Sequence, residues 1–213
     1  MLRVGILASG SGTNFQVLAD AARSGRLPVE IAVLVYNNPG AYVADRARAA
    51  GIAAVLLDHR KFVSREVLDE EIVATLEAHG VELVVMAGWM RKVTEVLIGR
   101  FADRILNIHP SLLPAFRGAK AIEQALDYGV KVAGCTVHIV RLEVDAGPII
   151  LQAAEAVRED DTPETLAVRI HAHEYRILPE AVRLFAEGRV RVEGNRARIV
   201  IDEVEPTGFE EQL

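Results

Sequence analysis

The chain alternates short, almost wholly apolar runs with longer stretches in which apolar residues recur every three or four positions. Val4–Ala8, Ile31–Tyr36, Ala53–Leu57, Leu83–Met86 and Ile105–Ile108 are runs of strand length, apolar nearly throughout, as strands buried on both faces require. Helical spacing fills the gaps. Ser9-Gly10-Ser11-Gly12 is a turn leading into a helix that Thr13 or Asn14 can cap and that runs to about Arg23. Asn37-Asn38-Pro39-Gly40 has the composition of a loop, and Tyr42–Ala50 reads as a helix ended by Gly51. Ser64 caps a predicted helix through His79, with Val67, Leu68, Ile72, Val73 and Leu76 on its inner face. Strands alternating with helices at this spacing predict βαβ units and a mostly parallel sheet.

The rhythm then changes. Val132–Val140 and Ile149–Ala156 are two strand-like runs with no helix between them, which predicts an antiparallel element. Thr162-Pro163-Glu164 is a strong helix start. That helix should reach about Gly188, with a bend expected at Pro179. Val190–Glu193 and Arg198–Ile201 flank Gly194-Asn195 as a small hairpin, and Glu205–Leu213 is expected to be loose. The expected fold is α/β: a single Rossmann-like domain over residues 1–213, its sheet mostly parallel with an antiparallel C-terminal part. Residues 1–100 would form a phosphate-binding βαβ half and residues 101–213 the half that carries the catalysis.

Composition narrows the class. A length of 213 residues suits one domain with a substantial core. With 51% apolar and 25% charged residues the chain has the balance of a soluble globular protein, and none of its apolar runs has bilayer length. A net charge of −6 and a pI near 5.6 weigh against a broad nucleic-acid or membrane footprint, while leaving room for a local basic pocket. The single cysteine, Cys135, excludes an internal disulfide framework. The start of the chain lacks the pattern of a signal peptide, so the cytoplasm is the expected location.

In an open parallel sheet, ligands sit outside the carboxyl ends of the strands. The turn at Gly10–Asn14, the segment Gly88–Arg91 and the segment Asn107–His109 all fall at such ends, so one shared site is expected. The glycine turn opens a helix and therefore offers backbone N–H groups and a favourable dipole to a phosphate. The turn does not fit a dinucleotide, because Phe15 stands where a third glycine is needed and Tyr36-Asn37-Asn38 where an acid is needed. No Lys-Ser or Lys-Thr follows to make a nucleoside-triphosphate loop.

Asn107 and His109 lie two apart and share a face of an extended strand, which sets an amide donor beside an imidazole. A carboxylate such as Asp145, in a Gly/Pro-flanked loop, could tune that imidazole. Amide, imidazole and carboxylate together suit acyl transfer. Other candidates carry less. His138 lies in a strand and is expected to pack. His171, His173 and Glu174 do not share one helix face, so no metal is expected. Cys135 has no cationic neighbour in sequence, and Ser111 lacks the G-x-S-x-G setting of a serine nucleophile.

Asn107-Ile108-His109-Pro110-Ser111-Leu112-Leu113-Pro114 with Asp145-Ala146-Gly147-Pro148 resembles the folate-dependent formyltransferases. Ser9-Gly10-Ser11-Gly12-Thr13-Asn14 and Met86-Ala87-Gly88-Trp89-Met90-Arg91 narrow the resemblance to the branch that formylates 5′-phosphoribosylglycinamide (GAR) in purine synthesis. The resemblance implies transfer of a formyl group from 10-formyltetrahydrofolate, a co-substrate, to the amine of GAR, without a metal. It implies that Asn107 bonds the formyl oxygen, that His109 carries the proton and faces the oxyanion, and that Asp145 raises the pKa of His109. By the same resemblance Gly12, Thr13 and Asn14 would hold the GAR phosphate, and Glu174 its ribose. Arg65, Met90, Arg91, Lys92 and Val93 would contact the folate together with Asn107; the 101–213 half, to which Asn107 belongs, would be the catalytic and folate-binding one, its 140–145 loop closing on the pterin.

Trp89, Lys92 and Ile122 depart from the commoner residues of that branch, and Phe116-Arg117-Gly118-Ala119 leans toward the methionyl-tRNA formyltransferases. The acidic charge weighs against tRNA. A formyltetrahydrofolate deformylase and a folate- or nucleotide-binding module without turnover are the other readings. The expected partners are the two small molecules, with no nucleic acid or membrane, in a monomer or homodimer.

Overall fold

The structure, a computed structural model, describes residues 1–200. Seven strands form one sheet in the order β3-β2-β1-β4-β5-β6-β7. The first five are β1 (Leu2–Ala8), β2 (Val29–Tyr36), β3 (Ala54–Leu56), β4 (Leu83–Met86) and β5 (Ile105–His109), and all their pairings are parallel. β6 (Val132–Ile139) runs antiparallel to β5, and β7 (Ile149–Ala156) antiparallel to β6. The expected parallel sheet with an antiparallel C-terminal part is therefore the observed one. β1 and β2 each begin two residues earlier than the apolar runs suggest, because Leu2 pairs with Val29 at the sheet's lower rim.

The helices are α1 (Thr13–Arg23), α2 (Val43–Ala49), α3 (Arg65–Ala78), α4 (Glu95–Arg100), α5 (Ala121–Tyr128) and α6 (Pro163–Ala186). α6 opens with a capping box between Thr162 and Thr165 and continues as helix through Pro179. α4 and α5 are absent from the sequence reading. They span 6 and 8 residues, too few for a periodic signal, and Lys120 at the N-cap of α5 has a left-handed backbone and makes no side-chain cap. The closing hairpin pairs β8 (Val190–Glu193) with β9 (Arg196–Ile199), so its second strand starts two residues earlier than expected. Ile201 and the tail at 205–213 lie outside the described residues.

Alternation along the strands explains the layers. Val4, Ile6 and Ala8 of β1 and Leu83 and Val85 of β4 face one core, shared with α1, α2, α5 and α6. Leu7, Val84 and Met86 face the other, shared with α3 and α4. Phe15 and Leu18 of α1 are wholly buried, each contributing about 2 kcal/mol of hydrophobic stabilisation. No helix among the described residues is long and apolar enough to cross a membrane.

Candidate active site

A cavity of about 650 Å³ lies along the carboxyl ends of β1, β4 and β5. Its wall includes Gly10–Asn14, Met86–Val93, Asn107–Pro110, His138, Val140–Leu142, Val144, Asp145, His171 and Glu174. Every residue expected from the sequence to catalyse or to bind a substrate lines it except Arg65, which begins α3 outside the lining.

At the β1 end, Gly12 makes the turn. Its φ of 74° is left-handed, and a Cβ there would overlap Val43 Cγ2 and come within 3.0 Å of Val43 Cα. Gly12 is also the N-cap of α1, and no side chain caps the helix. This corrects the expectation that Thr13 or Asn14 caps it. The Asn14 side chain is engaged elsewhere: its Nδ2 donates to Glu174 Oε2 of α6 at 2.9 Å. The first-turn N–H groups of α1, with no intrahelical partner, are thus left for a ligand. Asn14 Oδ1 is buried without a partner. Glu174 is 4% exposed, and burial pushes its carboxyl above the usual range against the Asn14 hydrogen bond and the charge of His171.

At the β5 end, Asn107 and His109 do share a face. The antiparallel register sets Asn107 opposite His138 and His109 opposite Thr136. Asn107 Nδ2 lies 3.1 Å from His138 Nε2, and His138 Nδ1 lies 3.0 Å from the Ile139 carbonyl oxygen. With its hydrogen on Nδ1 the His138 ring accepts from Asn107 and leaves the second Asn107 amide hydrogen for a ligand; with a hydrogen on Nε2 the ring can donate toward Asp145 instead. His138, read from the sequence as a packing residue, therefore holds Asn107. Only the β5–β6 pairing reveals this; the alternation of Thr136 and His138 along β6 was the available signal.

His109 Nε2 lies 2.9 Å from the Phe116 carbonyl oxygen, and Nδ1 lies 3.4 Å from Asp145 Oδ2. Both ring nitrogens face acceptors, so only the doubly protonated ring donates to both. Asp145 Oδ2 also accepts from Gly118 N–H at 2.8 Å, and Oδ1 lies 3.6 Å from His138 Nε2. Burial alone would raise the Asp145 carboxyl. His138, the Gly118 N–H and His109 outweigh it and hold the carboxyl below the ordinary carboxylate range. Phe116 and Asp145, the two partners of His109, both have left-handed backbones at φ 52°. In the same motif Gly147 is required because a Cβ would overlap the Ile139 carbonyl oxygen. The proline-rich exit is pinned by Thr136, whose hydroxyl donates to the Ser111 carbonyl at 2.7 Å and accepts from Leu113 N–H at 3.1 Å.

Between the two ends, Trp89 to Val93 form a wall. Met90 N–H donates to Ser9 Oγ at 2.9 Å, and Arg91 Nε is buried without a partner. His173 turns away to Glu155, with Nε2 2.8 Å from Oε2, while His171 lines the cavity. No group of three His, Cys, Asp or Glu side chains among the described residues could hold a metal ion. Cys135 is wholly buried, and burial pushes its thiol up to about 12.

Residues 2–182 match the model of a family described as formyl transferase. A glycinamide ribonucleotide transformylase 1 from Symbiobacterium toebii superposes with a TM-score of 0.93 at 54% identity, over 94% of this chain and 95% of that one. The phosphoribosylglycinamide formyltransferase of Escherichia coli K12 is 35% identical over 98% of each chain. The trifunctional purine biosynthetic protein adenosine-3 of Bos taurus is 42% identical over 92% of this chain, which spans only 19% of that longer protein.

Proposed function

The chain belongs to the formyl transferase family, and on that premise we propose that it transfers the formyl group of 10-formyltetrahydrofolate to the amine of GAR, giving formyl-GAR and tetrahydrofolate in de novo purine biosynthesis. The observation that carries the reading is the convergence of Asn107, His109 and Asp145 at one end of a cavity whose other end is an uncapped helix start. The two ends suit the two ends of GAR: an amine to be acylated and a phosphate monoester. The orphaned Arg91 Nε and Asn14 Oδ1 are polar atoms that bound ligands would satisfy.

In this reading Gly12, Thr13 and Asn14 hold the phosphate through first-turn N–H groups, and Glu174 accepts from the ribose hydroxyls. Met90, Arg91, Lys92 and Val93 hold the folate along the cavity wall, facing the 140–145 loop. The folate supplies an activated formyl group on nitrogen. As the amine attacks, a C–N bond forms and the carbonyl oxygen gains charge. Asn107 Nδ2, fixed by His138, donates its free hydrogen to that oxygen, and protonated His109 offsets the charge. The proton lost by the attacking amine must reach the departing folate nitrogen: in this reading protonated His109 gives its Nε2 proton, released from the Phe116 carbonyl, to that nitrogen as its bond to the formyl carbon breaks and recovers one from the amine, while Asp145 holds Nδ1–H.

A spectroscopic assay of 10-formyltetrahydrofolate turnover, run with and without GAR, tests the reading. GAR-dependent loss of the formyl group is expected. Equal turnover without GAR would replace the reading with a hydrolytic deformylase, and no turnover with GAR would refute it.

A further inference from the structure

Asp69 of α3 is a buried carboxylate that the proposed chemistry does not use. It is 2% exposed, and its Oδ2 accepts from two donors of one residue, Thr94 N–H at 2.6 Å and Thr94 Oγ1 at 2.8 Å. No side-chain cation bonds it among the described residues. Burial raises its carboxyl, opposed by the two Thr94 donors. Thr94 already caps α4 through a long 3.4 Å bond from Val96 N–H, and an N-cap needs no second carboxylate behind it. A desolvated acid is costly, so its placement calls for a use beyond starting a helix of 6 residues.

The use lies in what precedes Thr94. Met90 to Val93 form the cavity wall, and Thr94 is its far anchor. The near anchor is Ser9, whose Oγ accepts from Met90 N–H at 2.9 Å and whose N–H donates to the Gly88 carbonyl at 3.0 Å. Four lining residues are thus strung between two fixed points, one on the strand end of β1 and one on α3.

We propose that Asp69 is a positioning residue for the folate-binding wall: by clamping both donors of Thr94 it fixes Met90–Val93, and so sets the affinity for the folate co-substrate and not for GAR. This rests on the formyl-transfer reading above. Asp69 touches neither substrate and acts through Thr94 alone. The Gly12–Asn14 turn is held instead by packing on Val43 and by the Asn14–Glu174 hydrogen bond.

The test compares Asp69→Ala and Asp69→Asn in the full chain. An asparagine Oδ1 can accept both Thr94 donors, so Asp69→Asn should stay within about 3-fold of the parent in every constant. Asp69→Ala should raise KM for 10-formyltetrahydrofolate about 10-fold or more, with KM for GAR and kcat within about 3-fold, as for a lost hydrogen bond to a charged group. Trp89, the only tryptophan and 6% exposed, adjoins Met90, and its emission without any ligand should shift to the red in Asp69→Ala but not in Asp69→Asn.

Unchanged emission and unchanged folate KM would overturn the proposal, as would equal rises in both KM values, which would mean general loosening. If Asp69→Ala does not fold, Thr94→Val keeps the main-chain bond and takes its place. The same red shift and raised folate KM are then expected, and their absence overturns the proposal. Should the parent chain show no formyl transfer, the functional reading fails separately, because the Trp89 comparison still reads Asp69's hold on the wall.

Discussion

Replacing Gly12 with alanine should damage both stability and GAR binding, for reasons that can be separated within the same chain. At φ 74° an alanine costs about 1–2 kcal/mol in backbone strain. The new Cβ would also overlap Val43 Cγ2 and lie 2.6 Å from Val43 Cβ and 3.0 Å from its Cα, a backbone-proximal clash that a rotamer change cannot relieve. Overpacking of that kind adds about 1–3 kcal/mol. Gly25 is the matched control, since its φ of 75° is the same and a Cβ there meets nothing within 4 Å. Gly25→Ala should therefore lose about 1 kcal/mol, or about 2–4 °C in Tm, and Gly12→Ala roughly 3 kcal/mol, or about 6–12 °C, for a chain of this size. Adding Val43→Ala should restore only part of the loss, because Val43 Cβ and Cα remain. The turn can yield only by shifting the start of α1, so KM for GAR should rise about 10-fold or more while KM for the folate moves little. Thermal melts and initial-rate kinetics on the three variants measure both effects. If Gly12→Ala melts with Gly25→Ala and binds GAR as the parent does, the overlap with Val43 is not what requires glycine, and the turn does not hold the phosphate.

Asn107→Ala should lower kcat about 10²–10³-fold, as for loss of an oxyanion donor, and a variant within a few-fold of the parent would remove Asn107 from the mechanism. Asp161 is held by the Arg169 guanidinium, with contacts of 2.9 and 2.6 Å, and these bonds keep its carboxyl far below the usual range. A depressed folded-state pKa gives stability that is full above the unfolded value near 3.9 and is lost as pH falls through the folded one. Asp161→Asn should accordingly lower Tm at pH 7 and converge on the parent in strong acid; parallel Tm–pH curves would show that the pair contributes nothing. Cys135, buried and with its thiol pushed up to about 12, should resist iodoacetamide at pH 8 in the native chain and react on unfolding in guanidinium. Rapid native labelling would mean that β6 opens locally.

What could be read from the sequence was local chemistry. The apolar run, glycine turn and helix at 4–23 are each marked by a local sequence pattern, and the Asn107/His109 spacing needs nothing beyond a strand. What could not be read depends on contacts far apart in the chain. Asn14 is a good capping residue by type, yet its amide is drawn to Glu174, so the cap falls to Gly12. His138 looks like a packing residue until β6 is laid antiparallel on β5, which puts its ring against Asn107. Asp145 and His109 meet only because Gly147 lets the loop lie against Ile139, an approach visible in backbone atoms and not in residue type.

The order of the strands bears on how such a chain can be made. β2 and β3 are laid in turn on one side of β1, and β4, β5, β6 and β7 on the other, each at the outer edge of what precedes it. Among the described residues no strand is inserted between two that are already paired. A ribosome releasing this chain from its N-terminus could let the sheet grow by accretion, each new strand finding a finished edge as its template. The site would be completed late in that sequence, because Asn14 waits for Glu174, a partner 160 residues downstream, to emerge.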